Sequence, residues 1–350
     1  LQQARYYLVG ADSGVGKTTF ADFMFVLHSY ITAKKEGRKL KIFYYSFEIS
    51  EEEKIAKWIC FVSKTVYGLA LHMDYVMGRI HGMKVNEEDQ EVIDKCLDFL
   101  AELLDCVTFI DTPKNPTAIF HDAIEYAEAN GVVKRTEVIN KKVLDKAGKP
   151  KVTSYITGFT PTDARQTVMY LVDHVALCTS EQGFNTKETM DLLSKYMVFI
   201  RNKFRFSPVI IQQFNTELQS VERRKFKSAA LAPQRNDFGD SKYTYRDADI
   251  VFGLLKPSQF DIAEFYGYSI LPGKDNNASY YFGDNFLAVF LMKNRYGASG
   301  ILFPLFMDGM SGVFKDLSPS TGDYDFELES AAEECLQLTK INEWYSPKPQ

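Results

Sequence analysis

The segment Ala11-Asp12-Ser13-Gly14-Val15-Gly16-Lys17-Thr18 has the residue types and spacing that hold a phosphate chain. Glycines at 14 and 16 let backbone N–H groups curl around anionic oxygens. A helix starting at Lys17 would point its positive end at the same place. Lys17 supplies a point charge for the outer phosphates, and the Thr18 hydroxyl suits magnesium. The pattern departs from the usual phosphate loop only at its first position, Ala11 in place of glycine. The expected ligands are ATP and Mg²⁺, contacted by Ala11, Ser13, Gly14, Val15, Gly16, Lys17, Thr18 and Thr19.

Such a site needs a second metal ligand and a group that activates water. Met169-Tyr170-Leu171-Val172-Asp173 is an apolar run ending in an acid, which fits the metal ligand, although a strand-end aspartate also caps turns. Glu48 follows the apolar run Ile42 to Ser46 and is placed to take a proton from water. Alone, such a residue is more often a helix-start acid, here for Glu51 to Tyr67.

The elements that must position these residues alternate. Strands are expected over Arg5–Val9, Lys41–Phe47, Val107–Ile110, Val168–Val172 and Val209–Gln212. Helices are expected over Lys17–Lys35, Glu51–Tyr67, from Asn86 through Leu104, Pro116–Glu128 and Lys187–Lys203. In the first helix, Phe20, Phe23, Met24, Leu27 and Ile31 form one apolar stripe. Strands at Ile250–Leu254, Phe286–Met292 and Ile301–Phe306 follow a long polar loop, Phe214–Arg246. The alternation predicts an α/β fold, a mostly parallel sheet with helices on both faces. Thr136–Thr157 breaks the pattern and reads as a β-hairpin arm turning at Ala147-Gly148-Lys149-Pro150.

These elements imply a core domain over residues 1–315 with a hairpin insertion at 132–158, followed by a C-terminal segment over 316–350. Asp316–Glu334 carries seven acids and no base and is expected to be exposed. The chain begins at Leu1 rather than Met, about ten residues ahead of the phosphate loop, which suggests further residues upstream.

Hydrophobic content of 45% and charged content of 25% describe an ordinary globular protein and exclude a disordered one. No apolar run is long enough to span a bilayer. Five scattered cysteines with no Cys-x-x-Cys pair point to reduced thiols in the cytoplasm, with neither a zinc site nor a disulfide framework. A net charge of −5 means that any nucleic-acid site must be a local basic patch. Val221–Arg246 is such a segment, at +4. Its bases include Arg223, Arg224, Lys225, Lys227, Lys242 and Arg246, with Tyr243 and Tyr245 available to stack on bases. On charge alone it reads equally as a solvated loop.

Taken in order, these residues resemble the motor domain of DnaB-type replicative DNA helicases. Gly10-Ala11 through Thr18 is similar to that family's phosphate loop, alanine included. Ser46-Phe47-Glu48-Ile49-Ser50 resembles its Ser-Leu-Glu-Met motif, whose Glu is the catalytic base, and Leu171 to Leu177 resembles its metal-binding strand. Gln213-Phe214-Asn215 is similar to its Gln-Leu-Asn sensor of the γ phosphate. Asp237 to Asp249 resembles its DNA-loop motif without a gap. Lys293-Asn294-Arg295-Tyr296-Gly297-Ala298-Ser299-Gly300 resembles Lys-Asn-Arg-Asn-Gly-Pro-Thr-Gly, whose Lys and Arg reach the neighbouring subunit's γ phosphate.

The resemblance implies a RecA-like ATPase fold and a helicase that couples ATP hydrolysis to movement on single-stranded DNA. It implies a homo-hexameric ring, with primase and a helicase loader as partners in a bacterial or phage-infected cytoplasm. Glu48, Lys17, Gln213, Lys293 and Arg295 are then catalytic, and Thr18 and Asp173 hold the metal. Arg223, Arg224, Lys225, Lys227, Gly239, Asp240, Lys242 and Arg246 would grip DNA. The chain departs from the family in three ways. The N-terminal domain and linker helix are absent from this sequence, so a weak ring is expected. The hairpin arm has no counterpart; it reads as decoration or as a contact for a partner or DNA. The DNA loop has Gly239, Asp240 and Lys242 where the family has Arg, Glu and Gly. A RecA-like recombinase or regulatory ATPase, and a nucleotide-binding scaffold without turnover, are the competing readings.

Overall fold

A phosphate loop must be delivered by one element and received by another. The computed structural model, which describes residues 2–144, 150–215, 223, 231–239, 242–273 and 281–317, supplies both. β1 (Tyr7–Ala11) runs into the loop and α1 (Lys17–Ala21) leaves it. α1 passes through a π-helical stretch, Asp22–Leu27, into α2 (His28–Lys35). Then come β2 (Lys39–Ser46), α3 (Glu51–Tyr67), α4 (Met73–Val76), α5 (Glu87–Cys106), β3 (Val107–Ile110) and α6 (Pro116–Ala129). A ribbon of β4 (Gly131–Leu144) and β5 (Pro150–Pro161) leads to β6 (Gln166–Asp173), α7 (Thr186–Phe204) and β7 (Ser207–Gln213). α8 (Lys242–Asp247) and β8 (Ile250–Leu255) precede the short β9 (Glu264–Phe265) and β10 (Tyr268–Ser269). β11 (Phe286–Asn294), β12 (Ile301–Asp308) and β13 (Val313–Asp316) close the described chain.

Nine strands form one sheet in the order β13-β12-β11-β8-β1-β7-β6-β2-β3. From β8 to β3 every pairing is parallel, and β11, β12 and β13 extend the sheet as an antiparallel meander. This is the expected α/β architecture with its extra C-terminal strands. The pleat divides the core. Tyr7, Val9 and Ala11 join Met169 and Leu171 on the face covered by α1, α2, α3 and α5. Tyr6 and Leu8 join Val168, Tyr170 and Val172 on the face covered by α6 and α7. Both faces being covered is why the central strands read as unbroken apolar runs.

Local signals set the helix starts. Ser50, Asn86, Asn115 and Asn185 each accept a backbone N–H of the first turn, and Glu188 completes a capping box with Asn185. The helix after the phosphate loop differs from a simple stripe. Its π-helical turn rotates the following residues, so Phe25 and Val26 are buried and Met24 is 37% exposed. The hairpin arm is present and longer than its alternation suggested, although its turn at residues 145–149 lies outside the described residues. Of the acidic segment, only Asp316 and Leu317 are described. Three short strands, β9, β10 and β13, had no readable pattern.

Gly10 lets β1 pass two rings. A Cβ there would stand 2.4 Å from both Phe214 and Phe238, which pack edge to face at 5.0 Å. Gly10→Ala is therefore expected to destabilise the fold by about 1–3 kcal/mol, read as a lower denaturant midpoint.

Candidate nucleotide site

Four strands end together. In register, Ala11 of β1 faces Gln213 of β7, and Asp173 of β6 faces Ser46 of β2. Their carboxyl ends form the crevice where ligands bind in sheets of this kind. Gly14 and Gly16 both take positive φ, at 71° and 99°, which any other residue would adopt only under strain. Gly16 also passes beneath Met307, whose sulfur would lie 3.0 Å from an added Cβ. Lys17 Nζ donates to the Asp12 carbonyl at 2.7 Å, across the loop's own mouth. Burial lowers its pKa, while Glu48, Asp173 and Asp12 oppose that shift. The ammonium therefore faces three carboxylates around the space that phosphates would fill.

Thr18 Oγ1 donates to Asp173 Oδ2 at 2.8 Å, so the two expected metal ligands touch. Asp173 is 1% exposed, and its other oxygen, Oδ1, is buried with no hydrogen-bond partner among the described residues. A buried carboxylate oxygen without a donor is costly. A divalent cation or one of its bound waters would satisfy it, so this pair of oxygen ligands fits magnesium.

Glu48 lies two residues past the sheet edge with its side chain 56% exposed. Its turn is tied down: Phe47 N–H donates to the Asp173 carbonyl at 2.9 Å, and the Ser46 hydroxyl donates to the Ile49 carbonyl. His174 Nε2 stands 3.9 Å from Glu48. Burial lowers the imidazole pKa despite the nearby carboxylates, so at neutral pH it is an uncharged neighbour. Gln213 is exposed beside the loop, where Phe214 N–H donates to the Ala11 carbonyl at 2.8 Å. Thus Lys17, Thr18, Glu48, Asp173 and Gln213 share one edge.

Lys293 and Arg295 do not share it. Asn294 pairs with Ile250, and Ile250 pairs with Tyr7, the first residue of β1. Both bases therefore sit at the opposite edge, about 13 Å away along β1. Lys293 Nζ donates to the Tyr245 and Arg246 carbonyls at 2.9 and 2.8 Å, and Arg295 Nη2 donates to the Arg246 carbonyl at 2.8 Å. Burial, reinforced by Arg295, pulls the Lys293 pKa down to about 8.

The basic segment is only partly described. Arg223 is folded back, its Nη1 on the Asp237 carboxylate and its Nη2 donating to the Ala232 carbonyl at 2.9 Å. Gly239 takes a φ of 68° beside Asn215. Arg246 bonds Asp247 at 3.0 Å and lies 4.0 Å from the Tyr243 ring. Arg224, Lys225, Lys227 and Asp240 lie outside the described residues, as does the side chain of Lys242.

Sequence reasoning missed several residues. Gln212, buried next to Gln213, donates to the Phe238 carbonyl at 2.6 Å and accepts from Thr244 Oγ1 at 2.7 Å, joining β7 to α8. Asp249 accepts from Arg201 at 2.8 Å and from Tyr6 N–H at 3.0 Å. Lys54, fully buried, reaches Asp22, Tyr44 and Asp173. The readable signal was a lysine four residues before Trp58, on the apolar stripe of α3.

No protein-family model matches the chain, and no curated protein matches it in sequence. Solved structures do match in fold. A solved ATPase domain is 14% identical, with 91% of this chain and 86% of that one covered at a TM-score of 0.59. A DnaB-like replicative helicase, solved in a study of its interactions with primase, is 13% identical at a TM-score of 0.61. That match covers 91% of this chain and 58% of the helicase chain. A KaiC-like protein from Pyrococcus horikoshii is 11% identical, with a TM-score of 0.44. The fold is that of a RecA-like P-loop ATPase: a mostly parallel sheet flanked by helices, with extra strands.

Proposed function

We propose that this RecA-like domain is an ATP-driven motor that moves on single-stranded DNA and separates duplex strands, acting as a ring of identical subunits. The observation that carries the reading is the division of polar and charged groups between the sheet edges. Lys17, Thr18, Asp173, Glu48 and Gln213 surround one phosphate site. Lys293 and Arg295 stand at the far edge, braced on the helix that ends the basic segment. Groups so placed serve a neighbour's nucleotide if they serve any.

In this mechanism Lys17 and the loop N–H groups bind the phosphates; Thr18 and Asp173 would hold magnesium, which would supply positive charge to offset that of the phosphates. Glu48 orients the attacking water and accepts its proton, and Gln213 lies where it contacts the γ phosphate. The Gln212 amide passes any movement of β7 to α8, and hence to the basic segment. Primase and a loader are the partner classes this role implies.

Two measurements test the reading. ATP turnover should rise on adding single-stranded DNA, and labelled duplex should be displaced. Turnover without displacement would return the chain to a regulatory or recombinase role. Replacing Arg224, Lys225 and Lys227 together by Ala, and sparing Arg223 because it pairs with the buried Asp237, should weaken single-stranded DNA binding equally for all sequences. The slope of log affinity against log salt should flatten by about 2, at about 0.7 per lost phosphate contact. An unchanged slope would remove these residues from the DNA path and leave Lys242 and Arg246.

A further inference from the structure

A cluster of buried charges lies behind the nucleotide site. Lys54, in the first turns of α3, is 0% exposed. Its Nζ donates to both oxygens of Asp22, at 3.2 and 3.3 Å, to the Tyr44 hydroxyl, and to Asp173 Oδ2 at 3.4 Å. Tyr44 in turn donates to Asp22 Oδ1 at 2.6 Å. Asp22 is the first residue of the π-helical stretch, the one irregularity in the helix that follows the phosphate loop. π-Bulges of this kind gather at functional positions.

Stability alone is a poor reason for this cluster. Burying one ammonium and two carboxylates costs desolvation that apolar residues of the same volume would avoid. Its geometry is one-sided. Thr18, Lys54 and Tyr44 all converge on Asp173 Oδ2, while Oδ1 receives no donor among the described residues. The cluster also joins four elements: the phosphate-loop helix, β2, α3 and the end of β6. The Glu48 turn lies between β2 and α3, so it is held at both ends relative to Asp173.

We propose that Lys54 is a positioning residue: with Asp22 and Tyr44 it clamps one oxygen of Asp173 so that the other is presented to the magnesium of the bound nucleotide. This rests on the ATP-magnesium reading of the site. Lys54 touches neither nucleotide nor metal and acts through Asp173, as an outer partner of a metal ligand does.

The test uses the full chain and a fluorescent ATP analogue, titrated with EDTA present and then with increasing Mg²⁺. Lys54→Met combined with Asp22→Asn removes one positive and one negative charge, so the net charge behind Asp173 is preserved. The double variant is expected to bind the analogue in EDTA like the parent. Its half-saturating Mg²⁺ should rise about tenfold, as for loss of an outer partner of a metal ligand. Tyr44→Phe removes a single hydroxyl and should raise it by a smaller factor, which keeps the proposal testable if the double variant fails to fold. Folding is checked by circular dichroism. Folded variants with the parent's Mg²⁺ dependence would overturn the proposal and leave the cluster as a brace. A parent chain that binds the analogue with no Mg²⁺ dependence would instead overturn the metal reading and, with it, this one.

Discussion

Glu48→Gln is expected to bind ATP as the parent does and to hydrolyse it about 10²–10⁴-fold more slowly, the range for loss of a general base. The substitution keeps size and hydrogen-bonding reach and removes only the ability to take a proton. Structural damage is not expected, because Glu48 is more than half exposed and the hydrogen bonds that fix its turn come from Phe47 and Ser46. The phosphate contacts proposed for Lys17 and the loop would be untouched, so binding should survive. Equilibrium binding with a fluorescent nucleotide and a phosphate-release assay separate the two quantities. Turnover at the parent rate would remove Glu48 from the role of base. Lys17→Ala is the control in the other direction, since losing the point charge should weaken binding and abolish hydrolysis together.

The second large effect is expected at the far edge of the sheet. Arg295→Ala should lower turnover by about 10³-fold or more, the range for an arginine finger, while ATP affinity stays nearly constant. The variant should fold, because Asp249 keeps Arg201 at 2.8 Å when its Arg295 contact at 3.5 Å is lost. Because Arg295 cannot reach its own chain's phosphate loop, its effect must pass through a neighbour. Specific activity of the parent should then rise with protein concentration. Mixing Arg295→Ala with Lys17→Ala subunits should restore part of the turnover, one supplying the loop and the other the finger. A monomer at full rate, indifferent to Arg295 and to concentration, would sink the shared-site model.

Much of the fold was legible because its signals are local. Strands buried on both faces leave unbroken apolar runs such as Val168–Val172, and a capping residue such as Asn86 marks a helix start. The strand, glycine-rich turn and helix around Gly14 and Gly16 were equally legible, since their signals are contiguous. What escaped depends on contacts far apart in sequence. Lys54 and Asp173 are 119 residues apart, and the lysine's position on an apolar stripe says only that it is buried, not what it meets. Asp22 owes its direction to a π-turn that ordinary helical periodicity does not encode. The arrangement of Lys293 and Arg295 at the opposite edge followed from strand direction, which no motif reveals. Within the basic segment, Arg224, Lys225 and Lys227 lie outside the described residues.

The ribbon of β4 and β5 has a consequence for how the molecule comes apart. Near its root Val133, Ile156 and Phe159 pack on the second core, but farther out Ile139 and Val152 pair across the strands with 60% and 53% of their surface in solvent. Among the described residues, no third strand flanks either side of the ribbon. A two-stranded ribbon without a covering layer is marginal on its own. Its outer half is thus thermodynamically a side branch. It can fray and re-pair while the nine-stranded sheet stays intact, and its opening free energy is set by its own cross-strand bonds rather than by the global stability of the domain.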